Sequence, residues 1–263
     1  MKIAHEAPIA YFDTVQSLTD YDYCLAHLYD ENSPYKQKFL EAKALGREII
    51  LDTSVFELGE AFDRKKYVKI IEELQPTYYI IPDVLEDRVK TGESAWDWEK
   101  NFRDSLPGKP IGVVQGKTFS ELLDCYQFWD VMDVPKIAIS FDYSCYRTEC
   151  PHPNKYISWM LGRIKFLTLL SQAKIVNTGK EHHLLGCSLP MEGLFYGKKF
   201  EWITSVDTSN PVLHALRDIE YNGHGLLTKD KTKLFTLIDC KLEKKRLALL
   251  QENISKFKSL WDR

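Results

Sequence analysis

The sequence predicts an α/β protein built on a parallel sheet that is covered on both sides. Short, nearly continuous β-branched or aromatic runs alternate with stretches of helical periodicity, and such runs are the signature of strands buried on both faces. No linker-like, low-complexity or repeated segment breaks the series. A chain of 263 residues is long enough to bury a full core, and one α/β barrel domain would use it up.

Taken in order, residues 21–27 are a possible first strand, followed by a helix over 34–45 that stops at Gly46. Residues 47–52 are a strand, 64–74 a helix, 77–83 a strand and 87–105 a helix rich in Trp and Glu. A strand at 110–115, a helix at 120–130 and a strand at 136–142 follow. The helix over 154–172 places Ile157, Leu161, Ile164 and Leu167 or Leu169 on one face. Strands at 182–187 and 202–207 bring the count to seven, and an eighth would be 234–239 or something N-terminal. A final helix over 242–261 carries Leu247, Leu250, Ile254, Phe257 and Trp261 at three- and four-residue steps, so it docks one face.

Hydrophobic content of 44% and charged content of 28% are those of a globular protein. The segment from Met1 to Glu6 lacks the apolar core of a signal peptide and no apolar run could span a bilayer, so the cytoplasm and no membrane partner are expected. Cys24, Cys125, Cys145, Cys150, Cys187 and Cys240 show no framework spacing, as reduced thiols would. Cys145, Cys150 and His152 match no common zinc pattern, and no metal is expected. Net charge is −3, but residues 229–263 hold ten Lys/Arg against five Asp/Glu, leaving 25 against 33 before them. A basic terminal segment on an acidic body fits either polyanion contact or the solvated face of a helix.

The informative regularity is at the strand C-termini, where Asp52, Asp83, Gln115, Asp142 and Asp207 recur. Each alone reads most simply as a helix cap. Together they suggest a polar pocket at the end of the sheet where (β/α) barrels place their chemistry, and acid and amide groups suit a planar, hydrogen-bonding base.

Five segments in order then resemble a family. Asp52-Thr53-Ser54-Val55-Phe56-Glu57 resembles the Asp-Ser-Gly-Gly-Phe-Gln motif of tRNA-guanine transglycosylases, and Val113-Val114-Gln115-Gly116 their Val-Gln-Gly-Gly strand end. Leu184-Leu185-Gly186 is similar to their Gly-Leu-Ala-Val-Gly segment. Asp207 with Pro211 matches the spacing of their Asp-x-x-x-Pro-Thr-Arg nucleophile motif, and residues 222–228 resemble their Asn-Gly-His-Leu-Phe stretch. The departures are specific. The Cys-x-Cys-x-x-Cys…His zinc site is absent after the nucleophile region, where only Cys240 lies; Val212-Leu213 replace Thr-Arg; Ser54 and Val55 replace two glycines; Lys117 replaces another. A compact, zinc-less relative of this kind is similar to the DpdA-like DNA-guanine transglycosylases, which put 7-deazaguanine bases into DNA.

The resemblance implies a single (β/α)8 TIM-type barrel over residues 1–263 with a basic C-terminal helix and without the family's zinc-binding subdomain. It implies exchange of guanine in DNA for a 7-deazaguanine such as preQ0, with no cofactor. Asp207 would be the nucleophile and Asp52 the general acid/base, although the residues alone leave those two roles interchangeable. Asp83, Gln115, Gly116, Phe56, Leu185, Gly186 and Cys187 would bind the base, Phe56 by stacking unless it is simply a core aromatic. Lys117, Lys229, Lys231 and Lys233 are candidate phosphate contacts, though Lys117 reads as readily as a solvated loop lysine. DNA and the free base are the expected partners, tRNA the alternative, with a homodimer or a helper protein possible. Two further readings are a catalytically silent barrel acting as a binding subunit and an unrelated TIM-barrel hydrolase.

Overall fold

A computed structural model describes residues 1–102, 105–187, 189–222 and 233–262. The strands are β1 (Lys2–Ala4), β2 (Asp22–Leu25), β3 (Ile49–Asp52), β4 (Tyr78–Ile80), β5 (Lys109–Val113), β6 (Lys136–Ser140), β7 (Glu181–Leu185) and β8 (Ile203–Asp207). They form one eight-stranded sheet in the order β1-β8-β7-β6-β5-β4-β3-β2. The pairings β1/β8 and β2/β3 through β5/β6 are all parallel. The helices are α1 (Phe12–Gln16), α2 (Ala26–Glu31), α3 (Ser33–Ala44), α4 (Val55–Leu58), α5 (Arg64–Leu74), α6 (Arg88–Phe102), α7 (Phe119–Val131), α8 (Ser144–Glu149), α9 (Lys155–Gln172), α10 (Asn210–Leu216) and α11 (Lys244–Trp261). This alternation and strand order are those of a (β/α)8 fold of TIM type, in the α/β class.

Local chemistry sets the element ends. Asn32, Asp63, Thr118 and Asn154 cap α3, α5, α7 and α9, each accepting a free N–H of the first turn. The eighth strand is the N-terminal one, β1, whereas Leu234–Leu237 is a single 3-10 turn. β4 and β5 stop short of the expected ends. Pro82 has no N–H to give a ladder, and the Gln115 N–H turns to Cys125 Sγ at 3.2 Å. Asp83 and Gln115 therefore sit on the loops beyond their strands, while Asp52 and Asp207 are the last residues of β3 and β8.

The chain contains two compact units. The first comprises Met1–Asp20, Ser140–Lys174 and Leu184–Arg263. In it α11 buries Leu250, Ile254, Phe257 and Trp261 as its periodicity predicts. Leu250 and Ile254 join a cluster with Ala7, Tyr11, Val15, Val212, Ala215 and Leu216. α9 departs from expectation: its inward face is Met160, Arg163, Phe166, Leu167 and Leu170, and Leu161 is exposed. The second unit comprises Tyr21–Ile139 and Ile175–His183. Trp98, Trp129, Tyr67, Tyr79 and Tyr126 are fully buried there, and Trp129 Nε1 donates to the Val113 carbonyl at 2.7 Å.

Candidate active site

In the second unit, Asp52 ends β3 with its carboxylate held at both oxygens. Tyr23 of β2 donates its hydroxyl to Oδ2 at 2.5 Å, and the Ser54 N–H makes a short bond to Oδ1. Ser54 reaches that position by taking a left-handed backbone, φ 60°, which costs a non-glycine residue about 1 kcal/mol or more. Its hydroxyl accepts from the His27 N–H at 3.3 Å. The turn opens α4, which presents Phe56 at 44% exposure. Phe56 is therefore not a core aromatic.

Asp83 and Gln115 form a second buried pair. Gln115 Nε2 donates to Asp83 Oδ2 at 2.6 Å, and Gln115 Oε1 accepts from the Glu86 N–H at 2.8 Å. The backbone donor at Glu86 fixes the amide orientation. Asp83 Oδ1 is buried and no other described residue donates to it. Burial pushes the Asp83 carboxyl up to about 7; the Gln115 bond opposes this and the Asp52 charge reinforces it. Gly116 is buried beside the start of α7, and Lys117 is exposed.

Two histidines of β7 also lie in this unit. His182 Nε2 is 2.8 Å from Tyr126 Oη, with the rings stacked at 13°. His183 stacks on Tyr23 at 6.0 Å, so it backs the phenol that holds Asp52.

In the first unit, Asp207 ends β8, buried, and its Oδ1 accepts from the Gly186 N–H at 3.1 Å. Gly186 has φ +64°, and a Cβ there would come within 2.5 Å of the Phe141 ring, so only glycine fits. A fully buried ion pair lies behind this turn. Arg163 donates Nε and Nη2 to Glu192 at 2.7 and 2.9 Å, and Nη1 to the carbonyls of Leu185 and Gly186 at 3.2 and 2.9 Å. Tyr196 donates its hydroxyl to Glu192 Oε1 at 2.5 Å. Cys187 is buried, its thiol at 3.1 Å from the Leu189 carbonyl. Burial works against the Arg163 charge, but Glu192 outweighs it and holds the guanidinium above its usual range. The Leu185–Cys187 turn is thus clamped through its own carbonyls. His5, just past β1, places Nδ1 at 2.9 Å from the Thr208 carbonyl. Burial lowers its imidazole to about 4, so it is neutral at pH 7.

Tyr23, Arg163 and Glu192 escaped the sequence reading, and Ser54 entered it only as a departure from a glycine. Arg163 is one of two cations, with Lys165, in the largely apolar run of α9, and nothing in the sequence distinguishes the buried one. Among the candidate phosphate contacts, Lys233 is exposed, with its ammonium over the Phe235 ring. Lys229 and Lys231, with most of the 222–228 motif, lie outside the described residues. On α11 much of the basic charge is already engaged: Arg246 with Asp218 and Glu243, Lys256 with Glu220 and Glu252, and Lys258 with Asp20.

Among the described residues no three His, Cys, Asp or Glu side chains are grouped to hold a metal ion, and no helix is long and apolar enough to cross a membrane. No family model matches the chain, and no curated protein matches it.

Proposed function

We propose that the protein exchanges guanine in a polynucleotide, DNA in the first instance, for a 7-deazaguanine base through a covalent aspartyl-glycosyl intermediate. The observation that carries the reading is the Asp83–Gln115 pair: a buried carboxylate with one oxygen left unpaired, beside an amide whose orientation is fixed. Such an acceptor is costly to keep in the fold without donors, and the adjacent N–H groups on one edge of guanine or a deazaguanine would supply them.

Asp207 would attack C1′ of the sugar while the glycosidic bond breaks and its electron pair leaves with the base. The Gly186 N–H stabilises one oxygen of the Asp207 carboxylate that would form the new bond. Asp52 would deliver a proton to the departing guanine and take one from the incoming base, whose nitrogen then displaces Asp207 from C1′. Two inversions retain configuration, and protons and electrons balance without an outside reductant. Phe56, already half exposed, would stack on the base. A base in a duplex would first have to be flipped out. The absent zinc motif favours DNA over tRNA, because in the resembling family that motif accompanies the tRNA enzymes.

The test is incorporation of labelled guanine or preQ0 into DNA and, separately, tRNA, followed by digestion to nucleosides. Label in deoxyguanosine positions supports the proposal, label in tRNA alone supports the tRNA enzyme, and base release without incorporation supports a hydrolase.

A further inference from the structure

The start of α9 carries a cation resting on two aromatic rings. Lys155 is exposed, and its ammonium lies 5.1 Å from the centre of the Tyr156 ring and 5.0 Å from that of Trp159. Residues three and four apart share a helix face, which brings Tyr156 and Lys155 to Trp159. No carboxylate pairs with Lys155 among the described residues, whereas Lys165 further along α9 is tied to Glu149 at 2.7 Å. Tyr156 and Trp159 are half-buried, and their rings meet at 5.6 Å, inclined by 65°. The indole N–H of Trp159 is buried without an acceptor among the described residues, which a folded chain keeps only at a cost.

Within the first compact unit this cluster is joined to Asp207. Trp159 packs edge-on against Phe141 at 5.7 Å. The Phe141 ring lies against Gly186, where a Cβ would come within 2.5 Å of it, and the Gly186 N–H donates to Asp207. The two rings therefore stand beside the turn that holds Asp207, not on a remote surface. Ring faces attract an ammonium only weakly where water has access. A phosphate makes a stronger, charge-assisted bond to it.

We propose that Lys155, Tyr156 and Trp159 form a stacking platform for the nucleotide next to the exchanged guanine on the same DNA strand. Lys155 turns to a phosphate of that strand, and the neighbouring base stacks on the rings that the ammonium had covered. A cation without a carboxylate partner, set against aromatic rings, is the composition that binds a single strand: the charge meets the backbone and the rings meet any base. The inference rests on the base-exchange reading, which supplies the strand.

Fluorescence anisotropy of the full chain with a labelled single-stranded DNA oligonucleotide holding one guanine tests it. Two further oligonucleotides carry an abasic site on the 5′ or the 3′ side of that guanine. The wild type is expected to lose about tenfold or more in affinity with one of the two. Tyr156→Ala should lose as much on the intact strand and no more on the abasic one, and Tyr156→Phe, which keeps the ring, should bind as the wild type does. Lys155→Ala should lower the slope of log affinity against log salt by about 0.7, the increment for one phosphate of a single strand; Tyr156→Ala should leave that slope unchanged. Wild type that does not bind the strand overturns the proposal, as do losses from the abasic site and from Tyr156→Ala that simply multiply. Incorporation of labelled base together with strand binding insensitive to both variants overturns the platform and leaves the exchange reaction standing. Binding with the expected dependence on Tyr156 and Lys155, but without incorporation, supports the platform and overturns the exchange.

Discussion

Gln115 Nε2 donates to Asp83 Oδ2 at 2.6 Å, and this one bond partly offsets the burial of a carboxyl that is pushed up to about 7. Asp83 thus holds its proton in the fold between about pH 4 and 7, where the unfolded chain has lost it. Because the native state binds the extra proton, stability from this group falls as pH rises through that window, by on the order of 4 kcal/mol at most. His5 acts oppositely: its imidazole is lowered to about 4, so its contribution is present above pH 6.5 and lost as pH falls. Asp83→Asn isolates the first effect. Urea midpoints from pH 4 to 8 should show the variant gaining on the wild type as pH rises and levelling off above 7.

The same carboxyl makes ligand binding pH-dependent. Accepting two N–H groups from a guanine edge requires ionised Asp83, so affinity for free base should climb about tenfold per pH unit below 7 and flatten above it. Calorimetry in buffers of different ionisation enthalpy should show proton release on binding near pH 6. Binding that is flat across pH 5 to 8 would remove Asp83 from recognition.

Tyr23 and Asp52 make the second coupled pair. Tyr23→Phe removes a phenolic donor to a carboxylate while keeping the ring that stacks on His183. The loss should cost about 1.5–3 kcal/mol of stability. In base exchange kcat should fall about 10- to 100-fold with KM little changed, as for a residue that positions the acid/base group rather than the ligand. Equal loss in kcat for Phe56→Ala would be unexpected. That side chain is 44% exposed, and its removal should raise KM and leave the melt within about 0.5 kcal/mol.

Arg163→Met strands Glu192 in a site with no exposure and should cost about 3–5 kcal/mol. Arg163→Met/Glu192→Met replaces both charges by apolar groups and should recover part of that loss. Exchange activity should nevertheless stay low in the double variant, since nothing then holds the Leu185 and Gly186 carbonyls and, through them, the N–H on Asp207. Recovery of activity along with stability would make the ion pair structural only.

The fold was legible because burial on both faces writes itself into a sequence as apolar runs. The helix over residues 64–74 matches α5, and Asp52 and Asp207 end β3 and β8 as expected. β1 was ambiguous because Lys2–Ala4 is too short to show a period. Asp83 and Gln115 were expected at strand ends but lie on the loops beyond them, since a proline and a thiol acceptor end the ladders early. Tyr23 and Glu192 could not be found, because their meaning lies in partners 29 residues away in the chain for Tyr23 and 29 for Glu192. Pattern reasoning along the chain does not reach such pairings.

The most direct test of the central claim is Asp207-dependent incorporation. Wild type and Asp207→Ala are incubated with labelled guanine or preQ0 and with DNA or tRNA, and the digested nucleosides are counted. The account predicts label in deoxyguanosine positions of DNA with the wild type and none with the variant. Label that persists in the variant would contradict Asp207 as nucleophile, and no label in either polynucleotide with the wild type would contradict base exchange itself.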